Sequence, residues 1–183
     1  MEKTLQQYQK ATDKAKDIFI KKTKDYGTAW RILRPSSLTD QLYIKASRIR
    51  SIQEKGLSKV NDPIDLEFVG IINYSVMALI QLEHQDISEL EMPIDEVDRL
   101  YAHYIKIAKE LMSNKNHDYG EAWRDMRVSS ITDLILMKLL RVKKIEENEG
   151  KTIISEGLDA NYLDMINYAV FAMILIDEEK EYK

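Results

Sequence analysis

The chain contains one segment twice, and this duplication constrains its fold more than any other feature. The octapeptide KDYGTAWR at Lys24–Arg31 returns as HDYGEAWR at His117–Arg124. Asp25 and Asp118 are separated by 93 positions (118 minus 25), and at this offset 14 of the 27 positions in Lys22–Arg48 are identical. A repeat of this length predicts two structural units of the same kind rather than one irregular domain.

The match resumes later in the chain and indicates where each unit ends. Asn73 corresponds to Asn167 at an offset of 94 (167 minus 73), because the second copy has gained one residue before this point. We predict that residues 1–88 form unit 1, that residues 89–183 form unit 2, and that the two pack as one globular domain.

Helical signals dominate both units. Only six glycines and three prolines interrupt a chain rich in strong helix formers. Each unit should contain three helices, the first ended by Gly27 or Gly120 and the second capped by a Ser-x-x-Asp sequence at Ser37 or Ser130. In unit 1 the first helix is predicted at 5–24, the second from after Ser37 to 55, and the third from Asp62–Pro63 onward. In unit 2 the first helix is predicted at 94–115, the second from after Ser130 to 148, and the third from about 158 onward. The fold class is therefore all-α, a helical bundle of two tandem three-helix repeats with a pseudo-two-fold axis.

Composition excludes several kinds of protein. The chain has no cysteine, so disulfides, thiolate nucleophiles and cysteine-based metal sites are excluded. Its net charge of −4 and pI near 5.5 argue against broad nucleic-acid binding, which needs a basic face. The longest apolar stretch, Tyr162–Ile176, is interrupted by Asp164 and Asn167. We therefore expect a buried helix there and no membrane segment. The absence of cysteine fits a reducing compartment, so we expect a cytoplasmic location.

Basic, aromatic and amide residues that recur in both units form our candidate ligand site. Guanidinium and ammonium groups bind phosphate, and tyrosine and tryptophan offer a flat surface to a nucleobase. The candidates for phosphate or nucleotide binding are Arg31, Arg34, Lys45, Arg48, Tyr26, Trp30 and Asn73 in unit 1, and Arg124, Arg127, Lys138, Arg141, Tyr119, Trp123 and Asn167 in unit 2. If the two units face each other, these side chains should surround a shared cavity.

The same residues also have structural interpretations, and the sequence leaves both open. The arginines could instead pair with the retained acids Asp25, Asp40, Asp118 and Asp133 and lock helices together. The tryptophans could anchor the corner between the first two helices in the core. An asparagine in the most apolar helix needs a hydrogen bond, either to a neighbouring helix or to a ligand.

Three acids form a weaker candidate metal site in unit 2. Asp118 follows His117, and Asp164 stands one turn before Asn167. Converging carboxylates suit a hard cation, so Asp118, Asp133 and Asp164 are our candidate ligands for Mg²⁺. Asp133 also has a simpler interpretation as a helix-capping acid.

The repeated DYG-x-AWR, the Ser-Ser-x-Thr-Asp sequence, the Lys-x-x-Arg pair and the later Asn-Tyr resemble a known family, nucleotide modification associated domain 1, formerly domain of unknown function 1599. The resemblance covers both units and implies an association with nucleotide or base modification. It brings no catalytic residues with it.

All-α nucleoside triphosphate pyrophosphohydrolases are a weaker comparison. Those enzymes bind magnesium through Glu-x-x-Glu and Glu-x-x-Asp pairs. The similar pairs of this chain, Glu146-x-x-Glu149 and Glu156-x-x-Asp159, have no counterpart in unit 1, so we do not assign that family's metal site to this chain.

Two functional hypotheses follow. The first is a nucleotide-binding or nucleotide-processing protein that holds a small-molecule nucleotide and, with Mg²⁺, hydrolyses its phosphates through a metal-bound water. The second is a noncatalytic all-α scaffold or protein-interaction module, for which a homodimer is one arrangement. The sequence does not decide whether the protein is an enzyme.

Overall fold

Each unit folds into three α-helices, as the repeat predicts. A computed structural model describes residues 1–56, 63–86, 88 and 90–182, so Asp62, at the predicted start of a helix, lies outside the described residues. The helices are α1 (Glu2–Tyr26), α2 (Pro35–Lys55) and α3 (Ile64–Glu83) in unit 1, and α4 (Ile94–Tyr119), α5 (Val128–Glu147) and α6 (Leu158–Glu181) in unit 2. No strand occurs in these ranges. The all-α fold with two tandem three-helix repeats is confirmed.

The six helices form three layers that the repeat relates to one another. α3 and α6 pack against each other in the middle, α2 and α5 pack together on one side, and α1 and α4 lie together on the other. Each layer takes one helix from each unit, so the pseudo-two-fold axis passes between equivalent helices. Ion pairs repeat across this axis: Arg50 Nη1 lies 3.5 Å from Asp133 Oδ1, and Lys143 Nζ lies 3.5 Å from Asp40 Oδ1.

The middle layer is the apolar core of both units. Phe68 and Ile72 of α3 and Tyr162 and Ile166 of α6 are fully buried. By length and composition, α3 is the one helix in the described part of the chain that could cross a membrane, and 72% of its apolar segment is buried inside the bundle. Because a helix covered on most sides needs few polar residues, this composition matches its place in the core.

The second helix of each unit begins earlier than predicted. α2 starts at Pro35 and α5 at Val128, so Ser37 and Ser130 lie inside the first turn, and neither helix has a side-chain cap. Proline suits the start of α2 because the N–H that it lacks would have no helical partner there. The capping prediction is therefore wrong, and the acids of these two sequences form the inter-unit ion pairs instead.

Candidate functional site

A glycine ends the first helix of each unit in a conformation that other residues rarely adopt. Gly27 has φ 71° and ψ −151°, and Gly120 has φ 63° and ψ −161°. The glycines end the helices as predicted, but these angles lie outside the left-handed helical region, in a region used almost only by glycine. A 3-10 turn follows in each unit, at Ala29–Ile32 and Ala122–Asp125. The repeated octapeptide thus forms a sharp turn after the first helix of each unit and places a tryptophan in the core.

Both tryptophans anchor these corners. The ring centroid of Trp30 lies 6.1 Å from that of Phe19, and Trp123 stacks on Phe171 with centroids 4.2 Å apart. Both indole rings are buried. Arg124 lies over the Trp123 ring at 4.4 Å from its centroid. These contacts favour the corner-anchor interpretation, and Trp30 additionally lines a pocket described below.

Arg31 is buried and holds the end of α3. Its guanidinium donates hydrogen bonds to Gln81 Oε1 and to the carbonyl oxygens of His84 and Asp86, the latter two at 2.8 and 2.9 Å. A cation suits the C-terminal end of a helix, where the last carbonyl groups lack helical partners. Arg31 therefore stabilises the chain where unit 1 leads into unit 2, and both of its terminal nitrogens are occupied.

Arg124, the counterpart of that arginine, joins unit 2 to the start of unit 1. Its Nη2 donates to Thr4 Oγ1 and to Gln7 Oε1, both at 2.7 Å, and its Nη1 donates to Glu178 Oε1 at 3.1 Å. Both arginines of the repeated AWR sequence thus bind groups within the protein. Their geometry favours the structural interpretation over phosphate binding.

The two asparagines of the middle layer are hydrogen-bonded to both units. Asn73 accepts a hydrogen bond from the Tyr101 hydroxyl at 2.7 Å and donates to a carbonyl oxygen of α1 at 3.1 Å. Asn167 accepts from the Tyr8 hydroxyl at 2.8 Å and donates to a carbonyl oxygen of α4 at 3.0 Å. Each amide therefore joins the first helices of the two units, which is the interhelical interpretation. Tyr8 and Tyr101 also match at the offset of 93, so extending the repeat into the first helix would reveal them.

A pocket of about 350 Å³ lies between the C-terminal part of α1, the middle of α2 and the first half of α3. We call it the unit-1 pocket. Four predicted site residues line it: Tyr26, Trp30, Lys45 and Asn73. Every residue that lines it belongs to unit 1. Two smaller pockets do lie between the units, but no candidate residue lines either of them, so the prediction that the candidates surround a shared cavity is wrong. Packed helices form the contact between the two units, and the retained side chains named above line a pocket within unit 1.

Two lysines from different helices bring positive charge to the unit-1 pocket. Lys22 of α1 is exposed and forms no ion pair within the described residues. Lys45 of α2 is half-buried, with its Nζ 3.7 Å from Glu67 Oε2 and 5.5 Å from the centre of the Tyr74 ring. Glu67 is buried, and its closer partner is Arg48, at 2.5 Å. The pocket thus combines an aromatic and apolar wall with a surplus of cationic groups.

The corresponding place in unit 2 holds a carboxylate. Asp164 aligns with Gly70, and its two oxygens accept hydrogen bonds from Lys115 Nζ at 2.7 Å and from Lys138 Nζ at 2.8 Å. These lysines are the counterparts of the two pocket lysines of unit 1. Burial alone would lower the pKa of Lys115, but the hydrogen bond and charge of Asp164 outweigh burial and raise it. Unit 2 therefore gives both lysines a hydrogen-bonded carboxylate, whereas in unit 1 Lys45 has only the longer ion pair with Glu67 and Lys22 forms no ion pair within the described residues.

The three acids of the candidate metal site have separate partners. Asp164 binds two lysines, Asp133 pairs with Arg50, and Asp118 lies beside His117 at 3.2 Å. In the described ranges, no group of three His, Cys, Asp or Glu side chains is placed to hold a metal ion. The prediction that these acids converge is therefore wrong, because Asp164 is buried and bonded to Lys115 and Lys138, while Asp118 and Asp133 are exposed to solvent.

The remaining candidates lie outside the unit-1 pocket. Arg34 and Arg127 immediately precede α2 and α5, and both side chains are exposed. Tyr119 is 78% exposed. Lys138 and Arg141 border a wider, open groove of about 960 Å³ beside the α5–α6 connection. Unit 1 thus gathers retained basic and aromatic residues around one pocket, whereas unit 2 distributes them.

Among the lining residues of the unit-1 pocket that were not candidates are Lys22, Glu67, Gly70 and Tyr74. Lys22 and Tyr74 recur in unit 2, so the repeat contained a signal for them. Glu67 and Gly70 are replaced in unit 2 by Asn161 and Asp164. The repeat therefore held no signal for these two.

Fold and site together define the class: an all-α bundle of two repeated units with a basic, aromatic pocket in the first. A family model described as nucleotide modification associated domain 1 matches residues 22–82 and 115–176, one match in each unit. These matches cover well over half of the chain, and the protein belongs to this family. No curated protein and no solved structure matches the chain.

Proposed function

We propose that the unit-1 pocket binds a nucleotide, and that this binding is the protein's contribution to nucleotide modification. The observation that carries the proposal is the meeting of two lysines with an aromatic, largely apolar pocket of about 350 Å³. Small-molecule sites are typically apolar concavities of about 300–1,000 Å³ in which a few polar groups fix the ligand. The family to which the chain belongs supports the same ligand class.

Each part of a nucleotide has a partner in this proposal. The base lies against Tyr26 and Tyr74, and the phosphates face Lys22 and Lys45. Stacking on an aromatic side chain contributes about 1–3 kcal/mol per base, and a hydrogen bond to a charged group about 1.5–3 kcal/mol. Burial, more than the neighbouring Tyr26 and Glu67, raises the pKa of Tyr74. Its hydroxyl therefore remains protonated at neutral pH and can donate a hydrogen bond.

Magnesium enters this proposal together with the nucleotide. The three candidate acids do not converge, so Mg²⁺ would be held chiefly by the phosphate oxygens and by water, which it dehydrates only reluctantly. Phosphate hydrolysis by a metal-bound water is the enzymatic form of the proposal. Binding and phosphate release measured with Mg²⁺ and with a chelator test both points.

A nucleotide panel with lysine variants tests the proposal. Nucleotides at millimolar concentration should raise the Tm of the wild type. Lys22→Ala and Lys45→Ala should each weaken binding by at least about tenfold, the loss expected for one charge-assisted hydrogen bond. Lys24→Ala is the matched control, because Lys24 is an exposed residue of the same helix that does not line the pocket.

Two results would contradict nucleotide binding. One is the absence of stabilisation by any nucleotide at millimolar concentration. The other is an equal loss of affinity in Lys24→Ala and Lys22→Ala, which would indicate a general effect of charge rather than a contact in the pocket.

A noncatalytic scaffold is the second candidate function, and a specific observation favours it. Arg31, Arg124, Asn73 and Asn167 are all bonded within the protein, so structure alone accounts for their presence in both units. If this is the whole function, the lysine variants should alter no ligand-dependent property, and no nucleotide should change the Tm.

A further inference from the structure

Unit 2 contains a complete example of an anion bound by the retained lysine pair. Lys115 comes from α4 and Lys138 from α5, and both donate to the Asp164 carboxylate, at 2.7 and 2.8 Å. Asp164 and Lys138 are buried. Water and salt weaken a buried charge pair less than an exposed one, so two ammonium groups in this arrangement attract an anion strongly.

Unit 1 keeps the lysines but not the carboxylate. Lys22 and Lys45 occupy the positions of that lysine pair, and Gly70 occupies the position of Asp164. The side chain of Lys45 passes directly over the glycine, since a Cβ added to Gly70 would lie only 2.8 Å from Lys45 Cε. The end of the Lys45 side chain therefore lies beside Gly70 in the space where unit 2 has the Asp164 side chain, with Nζ 3.1 Å from the added Cβ, and it must shift slightly to admit a side chain there.

The nearest acid does not replace this carboxylate. Glu67 is bound by Arg48 at 2.5 Å, while Lys45 Nζ lies 3.7 Å from the other Glu67 oxygen. That separation is too long for a hydrogen bond. Lys45 consequently retains donors for a further anion, and so does the exposed Lys22.

We propose that a phosphate group of the ligand binds over Gly70, between Lys22 and Lys45, where unit 2 places the carboxylate of Asp164. Unit 1 is then an anion receptor, and unit 2 is the same receptor closed by its own side chain. The inference rests on the proposed function in taking the anion to be a nucleotide phosphate. The inference adds the position of that phosphate, and it predicts one bound ligand per chain.

Supplying unit 1 with its own carboxylate gives the first test. Gly70→Asp should be more stable without ligand than Gly70→Asn, which has the same size and no charge, by about 3 °C or more in Tm. Inorganic pyrophosphate should raise the Tm of the wild type and leave that of Gly70→Asp unchanged. The proposal is overturned if the two variants have equal Tm values, or if Gly70→Asp binds pyrophosphate as the wild type does.

Removing the Asp164 carboxylate from unit 2 gives a second test, which is independent of the first. Asp164→Gly should lower the Tm, because two lysines lose their partner, and pyrophosphate should restore it. Calorimetric titration should find two pyrophosphate molecules per chain in this variant and one in the wild type. An Asp164→Gly variant that still binds one molecule, or that pyrophosphate does not restabilise, would contradict the equivalence of the two receptors.

Nucleotide titrations separate this inference from the proposed function. If Gly70→Asp blocks pyrophosphate while no nucleotide binds the wild type, the anion position stands and the nucleotide proposal fails. If nucleotides bind and Gly70→Asp changes their affinity by less than about twofold, the proposed function stands and the anion position is wrong.

Discussion

Replacing Tyr8 by phenylalanine should weaken the association of the two units. The Tyr8 hydroxyl is buried and donates to Asn167 Oδ1 at 2.8 Å, while the Asn167 amide nitrogen donates to a carbonyl oxygen of α4 at 3.0 Å. The substitution keeps the aromatic ring and removes only the hydroxyl. The Asn167 oxygen would then remain in the core without this donor, because its side chain is only 5% exposed.

The structure sets the size of this effect. A buried acceptor left without a partner costs about 1–3 kcal/mol, so we expect the free energy of unfolding to fall by about 2 kcal/mol. In a chain of this length, each kcal/mol changes the Tm by about 2–4 °C, which gives a fall of roughly 4–8 °C. Tyr101→Phe should cost the same amount, because Tyr101 and Asn73 repeat the geometry at 2.7 Å.

Urea unfolding followed by far-ultraviolet circular dichroism measures this difference. Tyr119→Phe is the control, because Tyr119 is 78% exposed and its substitution should change stability by no more than about 0.5 kcal/mol. If Tyr8→Phe falls within the range of the control, the hydrogen bond between the units contributes little and the reasoning is refuted.

The same tyrosines predict a sensitivity to alkaline pH. Burial raises the pKa of both Tyr8 and Tyr101, so the folded protein opposes their ionisation. Their contribution to stability is complete below the ordinary tyrosine pKa of about 10 and is lost as the pH rises above it. Tyr8→Phe should therefore reduce the alkaline loss of stability while lowering stability at neutral pH, and an unchanged alkaline profile would contradict this.

Two further predictions concern the helix ends and acid stability. Gly27→Ala and Gly120→Ala should each lose about 1–3 kcal/mol through backbone strain, with the greater fall in Tm for Gly27→Ala because the Glu91 carboxylate occupies the space of the new methyl group; equal losses would argue against this contact. Burial alone would raise the pKa of Asp65, but the hydrogen bond and charge of Lys14 outweigh burial and lower it. The stability that Asp65 provides is therefore present above the ordinary aspartate pKa of about 3.9 and lost as the pH falls through its folded value. Urea unfolding between neutral and acidic pH should show a smaller acid loss in Asp65→Asn, and an unchanged slope would count against this pairing.

The sequence by itself determined the helices and their grouping into two units. Amphipathic spacing and the helix-ending glycines are local signals, since each depends on residues within a few positions of one another. The duplication then identified the positions that both units keep, among them Trp30, Lys45 and Asn73. It gave no means of distinguishing a residue kept for packing from one kept for a ligand, because both are equally retained.

Only the tertiary structure decided which partner each retained residue has. Asp164 lies 49 residues from Lys115 in the chain, and a contact over that separation depends on how helices pack, which neither periodicity nor capping specifies. Packing directs Arg31 to the end of a helix and opens Lys45 to a pocket, although both are cations retained in each unit. A side chain's surroundings, set by residues distant in sequence, determine whether its charge is satisfied within the protein or free to bind an anion.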